Sequence, residues 1–192
     1  MTRFGYVMTT YFSVLAIGGL AFVHVSPKLI WNASASAPIG LYAVASDDDL
    51  AVGDLVVVDP PESLATYLAE RGYLPEGVPL LKHVAALPGQ RVCRDGAAVA
   101  VDDIPLAQAQ PSDRFGRALP VWQGCHFVAK TELFLLNPSH PDSLDGRYFG
   151  ALPADAVIGR AVPILTDEDG DGHYVWRADH DADALENSSD RK

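Results

Sequence analysis

One lysine stands inside an apolar run at positions 80–89, Leu-Leu-Lys-His-Val-Ala-Ala-Leu-Pro-Gly. In water a lysine ammonium titrates near ~10.4, but apolar surroundings penalise the charge and push the group toward its neutral amine. Bringing it to about 7 costs roughly 4–5 kcal/mol at ~1.36 kcal/mol per unit, so a fold needs a reason to keep Lys82 there. A neutral amine is a general base and can activate a serine hydroxyl without any histidine. The competing reading is an edge-strand lysine whose stem lies on apolar surface while its head reaches water. A Ser–Lys pair requires desolvation, a hydroxyl to aim the amine and a donor for the oxyanion, and the chain offers a candidate for each. Ser34 and Ser36 lie in Asn-Ala-Ser-Ala-Ser-Ala at 32–37, and Ser143, Asp145 and Arg147 lie in Asp-Ser-Leu-Asp-Gly-Arg-Tyr-Phe-Gly at 142–150. Taken alone, Ser34 and Ser36 read equally as linker serines, Ser143 as a loop cap, and Asp145 with Arg147 as a structural ion pair.

Other chemistries fit less well. His83 and His140 lie in or near these segments, but no Gly-x-Ser-x-Gly elbow occurs, and His83 should face the opposite side of its strand from Lys82. The six histidines, at 24, 83, 126, 140, 173 and 180, show no zinc spacing, and neither a metal nor a cofactor is expected. Asp167-x-Asp169-x-Asp171-Gly172 copies the first half of a calcium loop, but Ala178 stands where the closing glutamate belongs.

The elements that would position these residues are mostly strands. The β-branched run at 54–59 reads as a buried strand stopped by Pro60-Pro61, and 62–71 reads as a short helix ended by Gly72. Further strands are expected at 80–86, at 126–129, at 132–136 and at 157–165, with a hairpin over 91–101 turning at Asp95-Gly96. Residues 104–120 read as a long loop. Many short strands without βαβ alternation indicate a mainly β, barrel-like body with one small helical insertion.

The chain of 192 residues carries 25 acids against 14 bases, which argues against a nucleic-acid partner. Nine of those acids lie in 166–192, so this segment reads as a solvated, disordered tail beyond a body at 29–165. Residues 4–25 contain no Lys, Arg, Asp or Glu. As a helix this stretch would span roughly the ~30 Å hydrocarbon core, which makes 1–28 an N-terminal transmembrane anchor. Its length exceeds the usual ~7–15 residue signal core, although Ala33-Ser34-Ala35 and Ala35-Ser36-Ala37 look like cleavage sites of a signal peptide. Either way the body is expected to be exported. That compartment permits a disulfide between Cys93 and Cys125, and two separate thiols are the alternative.

Four segments stand in an order that resembles the type I signal peptidases, the Ser–Lys membrane proteases. They are Asn32 through Tyr42, Gly53-Asp54 before its strand, the lysine strand ending in Leu87-Pro88-Gly89, and 142–150 followed by Val157-Ile158-Gly159-Arg160-Ala161. The resemblance covers the chain from the apolar terminus to about position 165. The form Ser-Ala-Pro-Ile-Gly-Leu-Tyr at 36–42 and the insert Arg71-Gly72-Tyr73-Leu74 look most like the conjugal-transfer, TraF-type branch that processes pilin subunits. General signal peptidases have a methionine after the nucleophile, where this chain has Ala37 and then Pro38. The resemblance implies a signal-peptidase-like β body and a serine endopeptidase anchored in the inner membrane with its catalytic domain in the periplasm. It implies Ser36 as nucleophile, Lys82 as base, Ser34 as an oxyanion donor beside the Ser36 N–H, Ser143 as the group orienting the lysine, and Asp145 with Arg147 as support. The implied partners are a pilin or other exported precursor, cleaved after small residues and in some members cyclised, and the conjugative transfer machinery. A general preprotein signal peptidase and a non-catalytic envelope component of the transfer apparatus are the alternatives.

Overall fold

The computed structural model describes residues 3–20 and 28–178. In chain order the elements are α1 (Arg3–Leu20), β1 (Leu29–Asn32), β2 (Ile39–Ala45), β3 (Leu55–Val58), α2 (Glu62–Glu70), β4 (Leu80–Ala86), β5 (Arg91–Asp95), β6 (Ala98–Val101), β7 (Ile104–Gln108), β8 (Gly124–Phe127), β9 (Glu132–Leu136), α3 (Gly146–Phe149), β10 (Leu152–Pro153), β11 (Val157–Asp167) and β12 (Val175–Trp176). Eight strands form one antiparallel sheet, β1-β2-β11-β3-β4-β9-β10 with β12 added on β11, and β7-β6-β5-β8 form a second. The body is mainly β with few helices, as expected, but the larger sheet is open rather than closed into a barrel. Its last strand is two residues long and ends in Pro153, which has no N–H with which to extend the ladder.

The centre of the larger sheet is buried on both faces. All four residues of β3 are buried, and strand alternation sends Leu55 and Val57 to one side with Tyr42, Leu81 and Ala161. Val56 and Val58 go to the other with Val84, Leu133 and Leu135. A third cluster, including Val92, Val99, Phe134 and Leu136, joins β4 and β9 to the smaller sheet. Fully burying each such side chain contributes about 1.5–3 kcal/mol, and β3, β4 and β9 are buried along most of their lengths. Lys82 projects from the middle of them.

Several boundaries differ from the sequence expectations. Part of the presumed loop at 104–120 is strand β7, because Pro105 sits on an edge strand where a missing N–H does no harm. The strand expected at 126–129 begins two residues earlier, where Cys125 pairs with Cys93 across the β5–β8 ladder and the two form a disulfide. The presumed tail begins too early. Thr166 and Asp167 complete β11 and are buried, and Val175–Trp176 folds back onto that strand. The Asp167 carboxylate accepts from the backbone N–H groups of Asp171 and Gly172, so this half-loop is held by its own backbone. The acidic stretch from 179 onward lies outside the described residues. So do positions 21–25 of the apolar terminus; α1 covers the earlier part, about 27 Å at ~1.5 Å per residue. Among the described residues no helix is long and apolar enough to cross a membrane.

The Cys93–Cys125 bond closes a separation of 32 residues in the smaller sheet. Replacing both cysteines with serine should lower the unfolding free energy by about 3–4 kcal/mol, measured by denaturant titration of the oxidised wild type beside the double variant.

Candidate active site

The serines lie in the loop between β1 and β2, which pair so that Asn32 stands opposite Gly40. Small residues and Pro38 would leave such a loop with little structure of its own, and buried polar side chains supply it. Asn32, 6% exposed, donates from Nδ2 to the carbonyls of Ser34, Ala37 and Pro38 at 2.9–3.0 Å. Its Oδ1 accepts from the Ser34 N–H and the Ser34 hydroxyl. The Tyr42 hydroxyl donates to Pro38 O at 2.7 Å, and Ala37 is sunk in the core. This pins Ser36, half-buried, at the loop's inner edge.

Lys82 lies on β4 opposite Val56 of β3 and is 3% exposed. Its Nζ lies 2.9 Å from Ser143 Oγ and 3.5 Å from Ser36 Oγ. The first is an ordinary hydrogen bond. The second is at the long limit of a hydrogen bond. Burial lowers the Lys82 pKa from 10.5 to about 8; the nearby Asp145 carboxylate acts against that shift and Arg147 with it. A neutral fraction is therefore present at physiological pH, and its lone pair is within reach of the Ser36 proton.

The segment carrying Ser143 is built around a buried ion pair. The Asp145 carboxylate takes Arg147 Nε at 2.8 Å on Oδ1 and Nη2 at 3.0 Å on Oδ2, and it caps α3 by accepting from the Arg147 N–H. Arg147, 1% exposed, also donates to the carbonyls of Pro141 and Asn137. With so many charge-assisted partners the pair tolerates burial, and removing either member would strand a charge. Gly146 sits between them because a Cβ there would lie 2.7 Å from both Leu135 O and the Phe134 ring. His140, on the same loop, is pushed below its ordinary value by burial and by the Lys82 and Arg147 charges.

The structure thus brings Ser34, Ser36, Lys82, Ser143, Asp145 and Arg147 into one site, while Cys93 and Cys125 belong to the other sheet. Ser34 Oγ lies 3.3 Å from Ser36 Oγ, but its proton goes to Asn32 Oδ1 at 2.8 Å. To serve an oxyanion the hydroxyl must rotate away from that partner. His83 Nδ1 faces Asn137 Oδ1 at 3.1 Å rather than a serine. Two residues of the site were not singled out from sequence, Asn32 and Asn137. The available signal was a lone amide at the end of the apolar run 133–136, and another four residues before Ser36. Among the described residues no group of His, Cys, Asp or Glu could hold a metal ion.

The family described as signal peptidase, peptidase S26, matches residues 1–166 of the chain. A probable conjugal transfer protein TraF of Sinorhizobium fredii is 36% identical over 143 residues, spanning 70% of this chain and 76% of that one. A conjugal transfer protein TraF of Agrobacterium tumefaciens is 35% identical over 144 residues, spanning 70% and 81%. A solved signal peptidase I from Enterococcus faecalis aligns with a TM-score of 0.36 and 18% identity, over 60% of this chain and 98% of that one. The first three findings carry the family assignment.

The depressed Lys82 pKa has a consequence for stability. Holding an ammonium whose pKa has fallen from 10.5 to about 8 costs about 3 kcal/mol at neutral pH. Between those two values the unfolded chain binds more protons than the folded one, so stability rises with pH across that window. Lys82→Met should therefore be more stable than wild type by about 1–3 kcal/mol at pH 7, with the gap closing as pH rises from 8 toward 10.5. Paired denaturant titrations at several pH values would measure this, and a gap independent of pH would contradict it.

Proposed function

The chain belongs to the signal peptidase family, peptidase S26, and from that membership together with the Ser36–Lys82 geometry we propose that it is a membrane-anchored serine endopeptidase. Its substrates are exported precursor proteins cut after small residues, foremost a conjugative pilin subunit. The observation that carries this reading is a lysine amine, 3% exposed, held between two serine hydroxyls. Neutral Lys82 takes the Ser36 proton as Oγ attacks the scissile carbonyl. The oxyanion is met by the Ser36 N–H, with Ser34 joining once its hydroxyl turns from Asn32. The proton then passes from Lys82 to the leaving amine, the peptide bond breaks, and an ester remains on Ser36. Water or the substrate's own amino terminus resolves that ester, giving a linear or a circular product.

The substrate class leans on the relatives named as TraF conjugal transfer proteins and on the Ala37-Pro38 form of the serine loop. The location leans on the apolar terminus. Phe4, Tyr6, Val7, Phe12 and Ile17 of α1 are all exposed, and the uncharged run continues in sequence to position 25. We place it in the inner membrane as a single anchor, with the body in the periplasm and Ser36 about ten residues from the bilayer exit.

Mass spectrometry of the major pilin from cells carrying wild type, Ser36→Ala or Lys82→Ala tests the reading. Both variants should accumulate in the membrane, leave the precursor unprocessed and lose at least about 10³-fold in rate. The wild-type product mass separates a linear peptide from one lighter by a water. Processing that persists in both variants would rule out the dyad, and cleavage of a broad panel of precursors would favour a general preprotein peptidase. Because only neutral Lys82 can act as base, wild-type kcat/KM should fall as pH drops through about 8. A rate that is flat across that value would exclude lysine as the group that titrates.

A further inference from the structure

We propose that Asn137 is a positioning residue for the Ser36–Lys82 pair, its side-chain amide tying the nucleophile's loop to the strand that carries the base; this rests on the peptidase reading above. The β4–β9 ladder pairs Val84 with Leu135 and His83 with Leu136, and there β9 ends. The residue after Asn137 is Pro138, which has no N–H to offer a further rung. The Asn137 side chain supplies that rung instead. Its Oδ1 accepts from the His83 N–H at 3.1 Å, and its Nδ2 donates to Leu81 O at 3.1 Å. These are the backbone groups on either side of Lys82. The same Nδ2 donates to Ser36 O at 2.6 Å, across 101 residues of sequence.

One amide therefore holds the peptide of the nucleophile and both flanks of the base. Its orientation is unambiguous, since the two carbonyls can only accept and the His83 N–H can only donate. Asn137 is 1% exposed, so water does not substitute for it. Its own backbone is fixed by the buried ion pair: the N–H goes to Asp145 Oδ2 at 3.0 Å, and the carbonyl accepts from Arg147 Nη2 at 2.8 Å. This gives Asp145 and Arg147 a route to the chemistry that does not require touching substrate. With Ser36 Oγ already 3.5 Å from Lys82 Nζ, little further separation is compatible with proton transfer, and a misplacement of about 1 Å can cost about 10²-fold in rate.

The test uses the full chain in detergent and an internally quenched peptide with alanine before the scissile bond. Wild type, Asn137→Ala, Asn137→Asp and Ser36→Ala are assayed, with thermal unfolding recorded on the same preparations. The aspartate keeps the shape and the acceptor for His83 but turns a second oxygen toward the Ser36 and Leu81 carbonyls. Both Asn137 variants should lose about 10²-fold in kcat while KM stays within about threefold. The pH of half-maximal kcat/KM should stay near 8 in Asn137→Ala, which removes no charge, and rise in Asn137→Asp, whose carboxylate favours the ammonium. A kcat within about threefold of wild type, a rise in KM alone, or a loss that tracks the unfolded fraction would each overturn the positioning role. Ser36→Ala turning over like wild type would instead sink the peptidase reading, whatever the Asn137 variants do.

Discussion

An amine that is to accept a proton near neutral pH must be kept from water and still be aimed, and those requirements conflict. Drying the surroundings of Lys82 removes solvent partners, and each protein group supplied in their place must itself be anchored in a dry interior. The structure meets this with hydroxyls rather than carboxylates. Ser143 and Ser36 are the hydrogen-bonding partners of the amine, whereas the Asp145 carboxylate is occupied by Arg147 and two backbone N–H groups. A direct carboxylate–ammonium pair would lock Lys82 in its charged form. By giving that carboxylate to an arginine, the protein keeps the amine titratable.

The remaining polar groups follow from that choice. A guanidinium and a carboxylate buried together are stable only when their hydrogen bonds are filled, and the carbonyls of Pro141 and Asn137 help to fill them. Those carbonyls are available because the chain leaves β9 and makes a short turn before α3, instead of pairing on as a strand. The same departure from the sheet is covered by the Asn137 side chain, and the serine loop is tied by Asn32 from the other side. Most of the bonds that hold the site run from a side chain to a backbone group. Such bonds set the path of the chain, which explains how six residues of loop carry a well-placed serine hydroxyl.

Membership of the signal peptidase family, peptidase S26, does not by itself choose a substrate. The serine loop is held from several sides, with Ala37 buried in the core and Pro38 fixed by Tyr42 and Asn32. A loop held so firmly presents one fixed surface around the Ser36 hydroxyl.

The serines and the Asp145–Arg147 pair stood out only through the family resemblance. Local pattern alone was enough for the strand with the anomalous lysine, the β-branched strand beside it, the hairpin over 91–101 (its turn at Gly96-Ala97, one residue later than expected) and the short helix ended by Gly72. These are legible because period-two alternation, turn glycines and a charge in an apolar run are properties of neighbouring residues. Strand β7 was hidden by Pro105, whose effect depends on whether the strand lies at an edge. The continuation of β11 through Asp167 was hidden by charges that look like a solvated tail until β12 folds back on them. Asn32 and Asn137 were hidden for the same reason. An asparagine in sequence is only a polar residue, and its role appears when carbonyls as distant as Ser36 and Leu81 converge on one amide. Sequence thus determined which groups could do the chemistry, and only the tertiary structure decided how they are held, because hydrogen-bond partners are set by distance in space and not by spacing along the chain.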